Sequence, residues 1–164
     1  MEIRRMNSTD DRWKISRIYE ESWRDVYKGI VPESFLRNIP TGHWVPFLDS
    51  SGADTLVVIE DDAYVGTASY SRSRFADFKD FGEIISVYML PQYTGRGYGG
   101  QLLEAAVKEL KRQGCCDVFL WVLEENLRAR RFYEKAGFVL NDKYLEDKIG
   151  EKTLREIAYC RYGI

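Results

Sequence analysis

The most constraining feature of the sequence is a glycine-rich turn between a strand-like run and an amphipathic segment. The run EIISVYML is followed by Pro91 and by TGRGYGG, which leads directly into QLLEAAVKELKRQ. Glycine lets the backbone approach a ligand closely and direct several N–H groups the same way, and the following helix adds the positive end of its dipole. The pattern predicts an anion-binding turn of the kind that holds phosphate. Its glycines are Gly95, Gly97, Gly99 and Gly100.

Length and composition bound the class of protein. The chain has 164 residues, of which 45% are hydrophobic, which is the size of one domain with a single core. Its net charge is -2 and no long basic run occurs, so we expect no nucleic-acid partner. The first residues lack the apolar core of a signal peptide, and no window approaches the ~20 apolar residues of a membrane span. We therefore expect a cytoplasmic protein without a membrane partner.

Cysteine and histidine usage does not favour a metal site. The cysteines Cys115, Cys116 and Cys160 lack metal-ligand spacing, and two adjacent cysteines are poorly placed to bridge each other. The one histidine, His43, has no second candidate ligand nearby. We expect reduced thiols and no metal cofactor.

The first part of the chain is predicted to be mainly helical. Residues 2–6 predict a short strand, after which Ser8 and Asp11 predict a capping-box start for a helix that continues to about Tyr27. Pro32 favours the first turn of a second, short helix. A third helical turn is predicted for residues 43–49.

From Asp54 onward the pattern changes to the alternating and continuous apolar runs of strands. TLVVIE, AYVGTASYSR and EIISVYML predict an antiparallel meander, and apolar residues then recur at helical spacing up to Gly114. DVFLWVL predicts a buried strand, NLRARRFYEKA a helix, and the tail two strands near 138–146 and 152–162. The predicted fold class is α+β, a mostly antiparallel mixed sheet of about seven strands with about four helices and one parallel crossover.

Residue patterns alone leave three interpretations of the glycine turn open. GRGYGG matches the G-x-G-x-x-G fingerprint of dinucleotide-binding oxidoreductases, with Glu124 as the nearest acidic residue for a ribose, but no series of βα units follows. A Walker-type loop lacks its Lys-Ser or Lys-Thr pair. A plain tight turn needs fewer glycines than are present. The sequence is more typical of an anion-binding turn of another kind.

Two ordered motifs, VYMLPQYTGRGYGGQLL and NLRARRFYEKAGF, resemble those of the GNAT (GCN5-related N-acetyltransferase) superfamily, in the form of a small bacterial-type acetyltransferase. The resemblance covers roughly residues 54–162. It departs from the family at Thr94, where the loop usually starts with Gln or Arg. The resemblance implies a single acyl-CoA N-acyltransferase domain over 1–164, with an acceptor-side helical flap (1–53), a cofactor-binding core (54–138) and C-terminal strands (139–164).

The implied cofactor is acetyl-CoA (coenzyme A), used as a co-substrate. Its diphosphate is expected at the N–H groups of the glycine turn, and its pantetheine arm along the end of the EIISVYML strand, where the sheet splays. Asn126 is expected to meet the arm, although the residue pattern alone predicts a helix N-cap there. The implied cofactor-binding residues are Tyr88, Met89, Leu90, Thr94, Gly95, Arg96, Gly97, Tyr98, Gly99, Gly100, Asn126 and Tyr133.

The resemblance also implies catalytic roles for two residues. Glu83 is the expected base, directly or through water, because an alkylammonium with a pKa near ~10.4 must lose a proton before it attacks. A water held by Ser86 or Tyr88 is the alternative to a direct base. Tyr133 is the expected acid for the departing thiolate, and the backbone N–H of Met89 is expected to polarise the thioester carbonyl. Periodicity alone predicts that Tyr133 packs beside Phe132.

The acceptor is expected to be a primary amine of a small molecule or peptide. Trp23, Tyr27 and Glu83 are the expected substrate-binding residues; aromatic rings in the flap either hold an ammonium group or pack the helices against the sheet. A non-catalytic acyl-CoA-binding sensor of the same fold is the alternative function. Dimers are common in this superfamily, so a homodimer through the edge of the closing segment TLREIAYCRYGI is also considered.

Overall fold

The computed structural model describes residues 1–164, and its elements surround one seven-stranded sheet. The strands are β1 (Glu2–Arg5), β2 (Asp54–Glu60), β3 (Ala63–Arg72), β4 (Gly82–Met89), β5 (Asp117–Leu123), β6 (Val139–Ile149) and β7 (Lys152–Tyr162). The helices are α1 (Arg12–Val26), α2 (Glu33–Arg37), α3 (Val45–Ser50), α4 (Tyr98–Arg112) and α5 (Leu127–Lys135). The predicted α+β class is confirmed, with five helices where about four were expected.

The sheet splays at its one parallel pair. Its order is β1-β2-β3-β4-β5-β7-β6, and only β4 and β5, which are joined through α4, run parallel. These two strands pair at three positions, from Gly82–Val118 to Ile84–Leu120. β4 nevertheless stays paired with β3 as far as Met89. From Ile85 onward, therefore, β4 leaves β5, and backbone groups along the separated edges have no neighbouring strand.

One face of the sheet is covered by α4. Apolar residues on one side of this helix, including Leu102, Leu103 and Leu110, are fully buried and pack into the largest core cluster. Burying one such side chain contributes about 1.5–3 kcal/mol. Gly82, where β4 begins, is held against this helix, since a Cβ there would lie 2.8 Å from a methyl group of Leu110. At the other end of the strand, a Cβ added at Gly99 would lie 3.9 Å from Met89, so the start of α4 and the glycine turn lie against the end of β4.

The opposite face is covered by α1. Ile15 and Tyr19 of this helix pack against Val57 of β2, and the Ser22 hydroxyl donates to the Met89 carbonyl at 2.8 Å. These contacts place the C-terminal end of α1 over the splay. No helix of the structure is both long and apolar enough to cross a membrane.

The start of α1 differs from the capping-box prediction. Asp11 is the N-cap, and its carboxylate accepts from the backbone N–H groups of Trp13 and Lys14 at 3.0 and 3.2 Å. Ser8 lies in the preceding turn, which is held by Asp10 through two hydrogen bonds from Arg4 at 2.8 and 2.7 Å. The side chain at position 10 therefore sets where the helix begins.

The strand order does not place TLREIAYCRYGI at a sheet edge through which it could extend the sheet of a second copy. β7 lies between β5 and β6 and pairs with both along most of its length, so its backbone groups are used within the chain. The edges of the sheet are β1 and β6. The interior position of β7 also brings its side chains close to the splay.

Candidate active site

A cavity of about 500 Å³ occupies the splay between β4 and β5. It extends from the glycine turn and α5 on one face of the sheet to the end of α1 on the other face. Eleven of the predicted site residues line it: Trp23, Tyr27, Tyr88, Met89, Thr94, Gly95, Gly97, Gly99, Gly100, Asn126 and Tyr133. The structure therefore brings the predicted turn, strand end and α5 residues together in one place.

The glycine turn leaves open surface where a ligand can contact the backbone. Gly95 and Gly97 have φ of 77° and 81°, a conformation that side chains other than glycine rarely adopt. A Cβ added at Gly95, Gly97 or Gly100 would meet nothing within 4 Å. No side chain caps α4, so the N–H groups of its first turn are available to a ligand. The turn therefore has the open backbone and uncapped helix start that an anion-binding turn requires.

Three predicted cofactor residues lie outside the cavity. The Leu90 amide donates to the Val65 carbonyl at 2.8 Å, which uses its only backbone donor. Arg96 pairs with Glu60 at 3.3 Å, and the Tyr98 hydroxyl donates to the same carboxylate. Arg96 and Tyr98 therefore hold the glycine turn against Glu60 of β2. Their contribution in this structure is to hold the turn rather than to line the cavity.

Asn126 both caps α5 and lines the cavity. Its Oδ1 accepts from the Ala129 backbone N–H at 3.1 Å and so caps α5. The buried side chain also lines the cavity. Because the cap uses only the oxygen, the side-chain NH2 group stays available to a ligand in the splay.

Three tyrosines meet in the cavity. The Tyr27 and Tyr88 hydroxyls lie 2.9 Å apart. Burial raises the pKa of Tyr27 to about 12, and burial followed by the nearby Tyr88 raises the pKa of Tyr133. Tyr133 therefore keeps its proton well above neutral pH, so its hydroxyl carries a proton under the conditions of the reaction. Its ring also packs against Phe132 and Phe138, at centroid distances of 5.1 and 5.9 Å, so the packing interpretation holds as well.

The structure does not bring Glu83 into the cavity with the other predicted residues. Its side chain is 1% exposed, and its carboxylate accepts from Arg74 Nη2 at 2.7 Å and Nε at 3.0 Å. The hydrogen bond to Glu83 raises the pKa of the Arg74 guanidinium. Glu83 also lies where β4 and β5 are still paired, opposite Phe119. An amine in the cavity would have no direct contact with this carboxylate.

The aromatic residues of the flap divide into two groups. Trp23 and Tyr27 line the cavity, with ring centroids 4.8 Å apart. Trp44 stacks on the buried Tyr19 at 5.4 Å, and Phe47 contacts the same ring edge-on at 6.4 Å. The second group packs α1 and α3 together, whereas the half-buried first group borders the space that a ligand would enter.

Comparison with known proteins places the chain among acetyltransferases. The family model described as "Acetyltransferase (GNAT) family" matches residues 13–138. The chain belongs to the GNAT acetyltransferase family. An "uncharacterized N-acetyltransferase" of Archaeoglobus fulgidus is 34% identical over 136 residues, covering 81% of this chain and 89% of the relative. The spermidine N(1)-acetyltransferase of Thermoplasma acidophilum is 27% identical over 161 residues, covering 93% and 96%.

Solved structures share the fold of this GNAT chain. The PaiA N-acetyltransferase of Thermoplasma acidophilum, crystallised in complex with coenzyme A, has a TM-score of 0.74 at 21% identity and covers 99% of both chains. A ribosomal-protein-alanine N-acetyltransferase of Brucella melitensis has a TM-score of 0.70 at 19% identity, again covering 99% of both chains. Family membership decides against the dinucleotide-binding and plain-turn interpretations of GRGYGG.

Sequence reasoning missed two charged residues of the GNAT site. Among the residues that line the cavity, Arg128 of α5 has the one cationic side chain and Glu156 of β7 the one carboxylate. Arg128 lies inside the second motif but was not singled out. Glu156 is in phase with the buried residues Leu154, Ala158 and Cys160, and a carboxylate on the buried side of a strand was a detectable signal.

Burial followed by the charge of Asp147 raises the pKa of Glu156. When a carboxyl has a higher pKa in the folded than in the unfolded protein, stability falls as the pH rises from the unfolded pKa to the folded pKa. For a glutamate this range starts near ~4.3. We therefore expect Glu156→Gln to be at least as stable as the wild type at pH 7, with the difference vanishing below pH ~4. Urea unfolding at both pH values measures this, with Glu146→Gln on the exposed part of β6 as the control. Lower stability of Glu156→Gln at pH 7 would show that the carboxylate supports the fold.

Proposed function

We propose that this GNAT acetyltransferase transfers an acetyl group from acetyl-CoA to the primary amine of a small molecule or peptide by direct attack. The observation that carries the proposal is the splay: it is lined at one end by the glycine turn, along its length by the separated edges of β4 and β5, and at the other end by Trp23 and Tyr27. A long ligand with an anionic head and an amide-containing arm matches these three parts in that order.

The diphosphate of acetyl-CoA would be held by the first N–H groups of α4 and the backbone of the glycine turn. Arg128 is exposed at the cavity and takes part in no ion pair, so it adds the positive charge that Thr94 does not supply. The Thr94 hydroxyl itself donates to the Pro91 carbonyl at 2.8 Å. We infer that Arg128 compensates for the departure of the loop from the usual family residue.

The pantetheine arm would lie between β4 and β5, where the β4 backbone groups that face β5 lack a strand partner beyond Ile84. The Trp121 indole N–H is buried beside this space without a hydrogen-bond partner. An unpartnered buried donor is costly, and a carbonyl oxygen of the arm would satisfy it. Asn126 would supply a further contact through its NH2 group.

For the chemical step, the neutral amine attacks the thioester carbonyl carbon, the C–S bond breaks, and the thiolate takes the proton of the Tyr133 hydroxyl. The position of this tyrosine in the cavity supports that role, and its raised pKa means that the hydroxyl carries a proton at neutral pH. Glu83 as the base stays a prediction, and its ion pair with Arg74 requires that any proton reach it through water. The Met89 N–H remains the proposed donor to the carbonyl oxygen.

Polyamines are the first acceptors to test, because the relative that covers 93% of this chain is named for spermidine. Trp23 and Tyr27 suit an alkylammonium through cation–π contact, worth about 0.5–2 kcal/mol depending on desolvation. A panel should also contain lysine-bearing and N-terminal peptide amines.

Acetyl-CoA at about 100 times its Kd is expected to raise the melting temperature by about 5–10 °C, since ligand binding adds about 2.7 kcal/mol to stability. NAD is expected to have no effect. Free thiol is expected to appear when acetyl-CoA is incubated with at least one amine of the panel. Stabilisation by NAD alone would contradict the proposal. Binding of acetyl-CoA without thiol release across the whole panel would instead identify an acyl-CoA-binding sensor of the same fold.

A further inference from the structure

The carboxylate of Glu156 lines the cavity and has no role in the proposed acetyl transfer. Glu156 belongs to β7, where its register partners are Leu123 of β5 and Leu145 of β6. It takes part in no ion pair, and no other residue satisfies its carboxylate in the way that Arg74 satisfies Glu83. A partly buried, unpaired carboxylate beside an open space is costly for the folded protein, so its presence calls for a ligand with positive charge.

The two faces of the sheet separate Glu156 from the proposed acid. Ile157 and Tyr159 of β7 point into the core under α4, and Tyr133 packs against that same core. Strand alternation places Glu156 on the opposite face, together with Leu154, which packs near Trp23 and Tyr27. The splay connects the faces, and Tyr27 is close enough to interact electrostatically with both Tyr133 and Glu156.

From this arrangement we propose that Glu156 binds the acceptor ammonium group and removes its proton, so that it is the general base of the reaction. The inference rests on the proposed acetyl transfer. A thioester lying in the splay would present one side of its carbonyl to the aromatic residues of α1 and to Glu156. Its sulfur would lie toward Tyr133 on α5.

The proton balance of this step is complete. Glu156 takes one proton from the ammonium group and later releases it to solvent, and the freed nitrogen lone pair forms the new C–N bond. The C–S bond breaks as the carbonyl re-forms, and the thiolate receives the Tyr133 proton. The nitrogen loses its second proton as the amide forms, which restores the phenol through solvent. The sum is one ammonium and one acetyl-CoA giving one amide, one free thiol and one proton.

The titratable and charged groups around Glu156 influence the pKa of its carboxyl. Asp147 of β6 repels its charge. Tyr27, which follows α1, and Tyr88 of β4 stay neutral because burial raises their pKa values. Arg128 of α5 lines the same cavity without pairing with Glu156. Burial and the charge of Asp147 therefore make this carboxylate easier to protonate than a surface glutamate. That balance suits a base which must accept and then release a proton.

The test is the pH dependence of turnover in Glu156→Gln. At pH 7 we expect kcat/KM to fall by about 100-fold, the usual contribution of a general base. The loss should shrink about tenfold per pH unit and so disappear by about pH 9, because the fraction of amine that is already neutral rises tenfold per unit below the amine pKa near ~10.4. Acetyl-CoA should stabilise the variant against heat as it does the wild type. Glu156→Asp, which keeps a carboxylate, should retain the pH profile at a lower rate.

The outcomes separate the two proposals. No thiol release by the wild type would overturn the acetyl transfer itself. Wild-type turnover with an unchanged Glu156→Gln rate, or with a loss of the same size at every pH, would overturn the assignment of Glu156. Glu83→Gln in the same assay tests the sequence-based prediction that Glu83 is the base. A loss of turnover that shrinks as pH rises in Glu83→Gln, and not in Glu156→Gln, would assign the role of base to Glu83. Glu146→Gln, an exposed carboxylate on the neighbouring strand, is the matched control and should behave as the wild type.

Discussion

Replacing Gly100 by leucine is expected to weaken acetyl-CoA binding by about 100-fold or more while leaving the fold intact. The residue lies in the first turn of α4, and a Cβ there meets no atom within 4 Å, so the new side chain enters the open space of the cavity. That space is where the diphosphate would contact the helix N-terminus. Losing two hydrogen bonds to a charged group, at about 1.5–3 kcal/mol each, lowers affinity by about 100-fold or more.

Isothermal titration with acetyl-CoA measures this effect, and the melting temperature of the free protein reports on folding. Leucine is favoured over glycine inside a helix by up to about 1 kcal/mol, so the free variant is not expected to lose stability. Gln101→Leu is the control, since Gln101 is the next residue of the same helix, is exposed and does not line the cavity. Unchanged affinity in Gly100→Leu would show that the anionic part of the cofactor lies elsewhere.

Tyr133→Phe is expected to lower kcat by about 100-fold with acetyl-CoA affinity changed by no more than about twofold. The substitution removes only the hydroxyl, so the ring contacts with Phe132 and Phe138 persist. Because burial raises the pKa of Tyr133, the wild type should also keep this contribution above pH ~10, where an ordinary tyrosine loses its proton.

Single-turnover thiol release and a binding titration, run side by side, separate the two quantities. Tyr144→Phe is the matched control because Tyr144 is exposed on β6 and does not line the cavity. An unchanged kcat in Tyr133→Phe would assign this residue to packing alone. Equal losses in kcat and in cofactor affinity would indicate that the hydroxyl binds the cofactor rather than protonating the thiolate.

Much of the fold followed from local patterns. The alternating runs after Asp54 predicted the meander, and GRGYGG before a helical repeat predicted the turn that opens α4. The prediction for the first helix was less accurate because Asp11, not Ser8, caps it. Both residues are common N-caps, and the choice depends on Asp10 pairing with Arg4, a contact that local spacing does not reveal.

The sequence alone determined the order of the elements, the anion-binding turn and the cap at Asn126, because glycine conformation, side-chain periodicity and capping act over a few neighbouring residues. Only the tertiary structure decided which carboxylate reaches the cavity. Glu83 was expected there, but the still-paired start of β4 and the guanidinium of Arg74 keep it away. Glu156 takes that position because β7 inserts between β5 and β6, a strand order set by packing across the whole sheet.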